Sequence, residues 1–174
     1  MSNYILVINP GSTSTKIGVF ENDTLLFDKT LRHPAEEIAK FATIPDQKSW
    51  RKELVEQALA ENNFDMKKLT AICARGGLVK PIRGGTYATS DALLADCVAG
   101  VQGQHACNLG GLIAREIGDE LGIPSFIADP PRGGRAAGHC PLFRPSPDPA
   151  GQQVPRPEPE GRGQALRQGG GQEV

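Results

Sequence analysis

The sequence predicts an α/β protein with a mixed β-sheet. Two apolar strand-like stretches flank Asn22 and Asp23, which are typical hairpin-turn residues, so the first 32 residues resemble an antiparallel meander. Segments with apolar residues at helical spacing then alternate with short apolar runs. The last of these runs, residues 125–128, ends at Asp129, just before the composition changes abruptly.

The first strand is predicted at residues 4–8, an apolar run that ends at Asn9-Pro10-Gly11. Strand character resumes at Ile17 and Val19, and again at residues 25–27. Further strands are predicted at residues 69–74 and 125–128, and residues 84–87 are interpreted as a glycine turn.

Helical spacing predicts four helices between and after these strands. The residues that carry it are Ile38, Phe41 and Ala42; Trp50, Leu54, Val55, Ala58 and Leu59; Leu93, Leu94, Cys97 and Val98; and Leu109, Leu112, Ile113 and Ile117. Ser90 and Asp91 are expected to cap the third helix, and Gly122 to end the fourth.

Composition divides the chain into residues 1–130 and residues 131–174. The second segment holds 8 Pro, 9 Gly and 6 Arg and no Ile, Lys, Thr, Asn or Tyr. Because such a segment buries too little apolar surface to offset its ordering entropy, we expect a disordered Pro/Gly/Arg-rich tail. The functional argument therefore rests on residues 1–130.

Charge and hydropathy exclude several classes of protein. The formal charge is −1, so no basic surface indicates a nucleic-acid or anionic-membrane partner. No apolar run approaches a membrane span, and the first residues lack the pattern of a signal peptide. The four cysteines form no CxxC pair. These observations predict a cytoplasmic protein without a disulfide framework.

The segment 9–16, Asn-Pro-Gly-Ser-Thr-Ser-Thr-Lys, lies between two predicted strands. Backbone N–H groups at a tight turn, hydroxyls and one ammonium group suit an anion such as phosphate. The segment is not a Walker A loop, which requires GxxxxGK[ST] before a helix. The alternative is a polar hairpin turn whose Ser and Thr side chains bond local backbone groups.

Three further residues stand where ligands bind in α/β proteins. Arg75 ends a strand before Gly76-Gly77 and could clamp a carboxylate or phosphate, or form a surface ion pair. His105 precedes a helix and could donate to a phosphoryl group, or act as a cap. Asp129 could hold Mg²⁺ or orient a nucleophile, or be an ordinary turn residue.

Together these motifs resemble butyrate kinases, a branch of the acetate kinase family in the superfamily of actin and sugar kinases. The resemblance rests on segment 9–16, Ala-Arg-Gly-Gly-Leu at 74–78, Pro-Ile-x-Gly-Gly-x-Tyr at 81–87, Gln-His-Ala-Cys-Asn-Leu-Gly at 104–110, and Gly-Ile-Pro-x-x-x-x-Asp-Pro at 122–130. It covers residues 3–130 and implies an actin-like (ribonuclease H-like) fold.

The resemblance implies reversible phosphoryl transfer from ATP to butyrate, giving butyryl phosphate and ADP, with Mg²⁺. It places Asn9, Gly11, Ser12, Thr13, Ser14 and Lys16 at the nucleotide phosphates. It makes Arg75, His105 and Asp129 catalytic and assigns Mg²⁺ to Asn9 and Asp129. It also implies a homo-oligomeric full-length form. The alternatives are a kinase for acetate, propionate or isobutyrate, or a phosphate-binding fragment without activity.

The family continues after Asp129 into a second domain that contains Phe-His-Ala-Leu-Asn-Gln-Lys. Codons for residues 154–164 can be chosen so that skipping one base yields this motif, and Pro130-Pro131-Arg132 can be encoded with seven consecutive C. We therefore expect residues 131–174 to be out of frame, leaving a chain without activity. The alternative is a genuine Pro/Gly-rich interaction tail.

Overall fold

The computed structural model describes residues 2–130 of the 174-residue chain. The tail expected at residues 131–174 and Cys140 lie outside the described residues. None of the helices in the described part is long and apolar enough to span a bilayer.

Six strands form one mixed sheet. They are β1 (Tyr4–Pro10), β2 (Ser14–Glu21), β3 (Thr24–Arg32), β4 (Ala71–Arg75), β5 (Thr86–Ala88) and β6 (Ser125–Ala128). The strand order is β3-β2-β1-β4-β6-β5. The β1–β2 and β2–β3 pairs are antiparallel, whereas β1–β4 and β4–β6 are parallel. The predicted mixed sheet with an N-terminal antiparallel meander is confirmed.

Four helices accompany the sheet: α1 (Ala35–Ile38), α2 (Lys48–Glu61), α3 (Asp91–Ala99) and α4 (Leu109–Leu121). The Ser90 side chain accepts a hydrogen bond from the Leu93 N–H, as its predicted capping role requires. Gly122 ends α4 in the left-handed conformation with φ of 68°, which glycine adopts without a Cβ penalty.

The structure differs from the sequence-based expectation in two places. The helix predicted around Ile38 and Phe41 ends at Ile38, and the Phe41 ring packs on Trp50 at 5.3 Å between centroids. Thr86 and Tyr87, interpreted as part of a glycine turn, form β5 together with Ala88, and this strand pairs antiparallel with β6. A strand of three residues has too little alternation to be recognised beside two glycines.

The core packs α2 and α4 against the central strands. Its fully buried members include Leu6, Ile8, Ile17, Val19, Ile72, Val55, Leu59, Leu109, Ile113 and Ile117. Because β1 and β4 are parallel, Asn9 and Arg75 emerge at the same edge of the sheet. This edge carries the candidate site.

Candidate functional site

A cleft of about 520 Å³ opens at this edge, between the β1–β2 hairpin, the loop after β4 and the turn before α4. Its lining residues are Asn9, Pro10, Gly11, Ser14, Lys16, Thr30, Arg75, Leu78, His105 and Cys107. Six predicted site residues thus lie together, and they come from segments far apart in the sequence: Asn9, Gly11, Ser14, Lys16, Arg75 and His105. The size suits a small ligand.

One wall of the cleft is the hairpin loop, residues 11–14. Its carbonyl groups are all engaged within the protein: Gly11 and Ser12 accept from Arg51, Thr13 from the His33 N–H, and Ser14 from the Gly11 N–H. In contrast, the N–H groups of Ser12 and Thr13 have no acceptor within residues 2–130, and both residues are exposed. The loop therefore presents donors to solvent, as an anion site requires.

Behind this loop lies Arg51 of α2, with 1 % of its surface exposed. Its Nη1 donates to the Gly11 carbonyl at 2.8 Å and to Thr15 Oγ1 at 3.2 Å, and its Nη2 donates to the Ser12 carbonyl at 3.2 Å. Gln47 Oε1 accepts from both Nε and Nη2. Burial lowers the pKa of Arg51 to about 10, so the guanidinium stays charged at neutral pH.

His33 completes this buried group. Its Nε2 lies 2.8 Å from Thr15 Oγ1, and its ring packs on Trp50 with centroids 4.9 Å apart. Burial, together with the charge of Arg51, lowers the pKa of His33 to about 4. The imidazole is therefore neutral at physiological pH.

Lys16 reaches the cleft from β2 and forms an ion pair with Asp28 of β3, Nζ to Oδ2 at 3.3 Å. Both side chains are roughly half exposed, at 40 % and 47 %. Such a pair contributes about 0–1 kcal/mol, so an incoming phosphate can compete for the ammonium group.

The opposite wall carries Arg75 and His105, both of which are exposed. Arg75 forms no ion pair with a carboxylate among the described residues. His105 Nδ1 accepts from the Cys107 N–H at 3.1 Å, which confirms that His105 caps the short turn before α4. With Nδ1 as an acceptor, the neutral ring carries its proton on Nε2 and can donate it to a ligand.

Asn108, which the sequence analysis did not single out, holds this wall together. Its side chain is 1 % exposed; Oδ1 accepts from the Leu78 N–H at 2.8 Å, and Nδ2 donates to the carbonyls of Cys97 and Gly103. One amide thus ties the loop after β4 to the segment before His105. No local sequence pattern marks it, because all three partners are distant or irregular.

Glycines allow α4 to approach the strand ends closely. A Cβ on Gly110 would lie 2.7 Å from the Arg75 carbonyl oxygen and 3.4 Å from Pro10. A Cβ on Gly77 would lie 2.8 Å from the Asn108 Cα. Side chains at either position would push the helix away from Arg75.

Asp129 lies just past the end of β6, at the same edge of the sheet, but it does not line the cleft. It adopts φ of 42°, a left-handed conformation that Asp tolerates better than most residues. Its Oδ1 accepts from the Gly85 N–H at 3.1 Å, and its own N–H donates to the Gly85 carbonyl. The structure thus fixes Asp129 by the loop before β5.

Among residues 2–130 no group of three or more His, Cys, Asp or Glu side chains forms a metal site. The predicted ligands, Asn9 and Asp129, nevertheless supply the hard oxygen donors that Mg²⁺ prefers. Mg²⁺ is usually held by one or two protein oxygens together with substrate phosphates and waters. Of the two residues, Asn9 lines the cleft and Asp129 does not.

The cysteines of the described residues are most simply packing residues. Cys73, Cys97 and Cys107 are buried. Burial raises the pKa of Cys97 to about 11 and also raises that of Cys107, which lines the cleft. Both remain thiols, so neither is activated as a nucleophile.

The chain is similar to proteins of known family. It is 59% identical over 130 residues to a probable butyrate kinase of Clostridium botulinum strain Eklund 17B, covering 75% of this chain and 37% of that protein. It is 54% identical over 126 residues to butyrate kinase 1 of Clostridium acetobutylicum, covering 72% and 36%. The chain thus spans little more than a third of the length of these relatives. No protein-family model matches it.

Solved structures with a similar chain path include an acetate kinase from Porphyromonas gingivalis and a propionate kinase from Francisella tularensis. The first has a TM-score of 0.46 and 17% identity, covering 72% of this chain and 37% of that one. The second has a TM-score of 0.42 and 16% identity, covering 72% and 36%.

Proposed function

We propose that the aligned part of this chain forms one side of a carboxylate kinase active site. This part belongs to the butyrate kinase family, in which it corresponds to the N-terminal domain. The reaction proposed is reversible transfer of the γ-phosphoryl group of ATP to a short-chain carboxylate. The observation that carries the proposal is the cleft that unites the hairpin loop with Arg75 and His105. Anion-binding groups face it from both walls.

The hairpin wall suits the nucleotide phosphates. It offers several hydrogen-bond donors. The side chains of Asn9, Ser14 and Lys16 line the cleft, and the N–H groups of Ser12 and Thr13 are exposed beside it. Because phosphoryl transfer is catalysed mainly by positioning and by electrostatic stabilisation, such a cradle needs no nucleophile of its own. The buried, protonated thiol of Cys107 agrees with this.

Arg75 and His105 suit the acceptor and the transferring group. A carboxylate oxygen attacks the γ-phosphorus while the bond to the β–γ bridging oxygen breaks, and ADP leaves. Arg75 would hold the carboxylate and His105 Nε2–H would donate to a phosphoryl oxygen as negative charge shifts. Mg²⁺, held by the phosphates with Asn9 and Asp129, would neutralise phosphate charge when bound.

Butyrate is the acceptor we favour, because the relatives at 59% and 54% identity are named butyrate kinases. Kinases for acetate, propionate or isobutyrate remain the alternatives within the same chemistry. The decisive comparison is acyl hydroxamate formation from ATP, hydroxylamine and each acid in turn, made with a version of the protein whose coding frame is shifted by one base after Pro130. A higher kcat/KM for acetate than for butyrate would contradict the assignment.

We further propose that the 174-residue polypeptide does not turn over by itself. It corresponds to 37% of the length of a relative, so the remaining family sequence would supply the other side of the active site. Without that side the phosphates stay in water, where each contact is weakened. The second candidate function is phosphate binding without catalysis. It is favoured because the chain covers only 37% of the length of that relative.

The experiment compares the 174-residue chain with a version in which the coding frame after Pro130 is shifted by one base. The shifted version is expected to make butyryl hydroxamate, and the 174-residue chain is not. Sequencing the coding DNA tests the frame directly. Equal turnover by both chains, or a shifted frame that does not encode Phe-His-Ala-Leu-Asn-Gln-Lys, would contradict the proposal.

A further inference from the structure

Arg51 is the largest fully buried side chain of the described residues and lies directly behind the hairpin loop. Its position on α2 puts it one turn before Val55, on the stripe that enters the core. An aliphatic residue would fill such a position without a desolvation cost, which for a buried ion amounts to several kcal/mol. The presence of a guanidinium there requires a compensating role.

That compensation does not come from a carboxylate. Within the described ranges Arg51 bonds only to neutral oxygens: two carbonyls, the Thr15 hydroxyl and the Gln47 amide. Buried charges in proteins are normally paired with an opposite charge. Here the positive charge is left uncompensated, immediately behind a loop whose outer surface offers N–H groups.

The hydrogen bonds of Arg51 also set the direction of the loop peptides. When the Gly11 carbonyl points back to Nη1, the N–H of the same peptide, that of Ser12, points away from the protein. Likewise, because the Ser12 carbonyl points back to Nη2, the Thr13 N–H of that peptide points away from the protein. The two N–H groups without an acceptor are therefore those whose peptide partners Arg51 holds.

We propose that Arg51 is a positioning residue for phosphate binding. It turns the Ser12 and Thr13 N–H groups outward, between the cleft-lining residues Gly11 and Ser14, and places an unpaired positive charge behind them, without touching the phosphate itself. The inference rests on the proposed function of the hairpin loop. It adds a residue from α2 to a site whose other members lie at strand ends and turns.

Thr15 and His33 support the same arrangement. Thr15 Oγ1 accepts from Arg51 Nη1 and is bonded to His33 Nε2, so the guanidinium has a fixed neighbour on that side. A charged imidazole beside Arg51 would be repelled, and the lowered pKa of His33 keeps the ring neutral. The group therefore carries one positive charge, which belongs to Arg51.

The test uses the 174-residue chain labelled with ¹⁵N and titrated with pyrophosphate, followed by amide chemical shifts. The wild type is expected to show saturable shifts at Ser12 and Thr13. Arg51→Met should weaken pyrophosphate binding at least tenfold, and Arg51→Lys, which keeps the charge but not the forked geometry, about threefold. Arg115→Met, on α4, is the matched control. Arg115 also donates to a backbone carbonyl, that of Thr89.

A purely structural role for Arg51 would lower the unfolding free energy but leave the pyrophosphate Kd of the folded variant unchanged. An unchanged Kd in Arg51→Met, or an equal loss in Arg115→Met, would overturn the inference while leaving the proposed function intact. If Arg51→Met gives no folded spectrum, the Arg51→Lys variant provides the test. A pyrophosphate Kd equal to that of the wild type in Arg51→Lys would then overturn the inference. If pyrophosphate changes the amide chemical shifts of the wild type only at residues outside the loop, both the loop's phosphate role and the inference are overturned.

Discussion

The two walls of the cleft are built in different ways. The hairpin wall is fixed from behind by a buried, charged side chain that holds its carbonyls. The wall of Arg75 and His105 is fixed by a neutral amide, Asn108, and by glycines that let α4 approach the strand ends. Its candidate site residues, Arg75 and His105, are exposed and lack carboxylate partners within the described part of the chain. Substitutions that change charge should therefore affect the hairpin wall most, and substitutions that change packing should affect the wall of Arg75 and His105 most.

The largest expected effect is on the packed wall. Asn108→Ala leaves the Leu78 N–H and the carbonyls of Cys97 and Gly103 without their partner. Since a buried unsatisfied polar group costs about 1–3 kcal/mol, we expect the unfolding free energy to fall by about 3 kcal/mol in urea denaturation. Asn62→Ala is the control, because its amide donates only to the Ala58 carbonyl at a helix end. Equal losses in both variants would remove the special role of Asn108.

Gly110→Ala tests the close approach of α4. The added Cβ would meet the Arg75 carbonyl oxygen at 2.7 Å, and backbone cannot move aside cheaply. We expect a loss of about 2–3 kcal/mol in unfolding free energy. Gly111→Ala is matched in helix and residue type, but its Cβ would meet only side-chain methyl groups at 3.2 Å. That variant should stay within about 1 kcal/mol of wild type, since alanine favours the helix.

A third prediction concerns the charged wall and pH. The pKa of His33 is about 4 in the fold, against 6.5 for an ordinary His. The unfolded chain therefore binds more protons between these values, so stability present above pH 6.5 is lost as pH falls toward 4. Between pH 7 and pH 5 the unfolding free energy should decrease by about 2 kcal/mol from this residue.

His33→Gln should remove that part of the decrease, as measured by denaturation at the two pH values. His105→Gln, at an exposed position, is the control and should leave the decrease in place. If His33→Gln shows the same decrease as wild type, carboxylate protonation accounts for all of the pH dependence. The proposed neutral state of His33 beside Arg51 would then be wrong.

The sequence identified the residues of the cleft that stand at strand ends and turns. Asn9, Arg75 and His105 each follow or precede a recognisable element, and parallel pairing of β1 with β4 brings the first two to one edge. Strand ends are where chain direction and hydrogen bonding change, so their polar residues are conspicuous in a sequence. Most of the secondary structure was predictable for another reason, because its apolar residues form short runs or recur at helical spacing.

The supporting residues could not be predicted in this way. Arg51 lies 40 and 36 residues from Gly11 and Thr15, and the sequence pattern did not single it out. Its spacing of four from Val55 was the available signal, because it put a charge on the buried stripe. Asp129 shows the opposite limit: its place after β6 was evident, but its bond to Gly85 depends on β5, which was not predicted.

The smallest expected effect separates the two walls most cleanly. Lys16 on the hairpin wall is paired with Asp28, whereas Arg75 opposite has no such carboxylate among residues 2–130. Asp28→Asn should remove the Asp28 carboxylate as a competitor of the phosphate for Lys16 and strengthen pyrophosphate binding about two- to threefold, with the unfolding free energy changed by less than about 1 kcal/mol. The gain should shrink at high salt, because the pair is exposed and screened.

Glu37→Gln is the matched control for Asp28→Asn. It removes one negative charge from another exposed ion pair, with Lys40, that does not line the cleft. If both variants bind pyrophosphate more tightly by the same factor, the gain reflects net charge and not the release of Lys16. If Asp28→Asn binds more weakly than wild type, Asp28 orients Lys16 toward the phosphate instead of competing with it, and the hairpin wall depends on this pair as well as on Arg51.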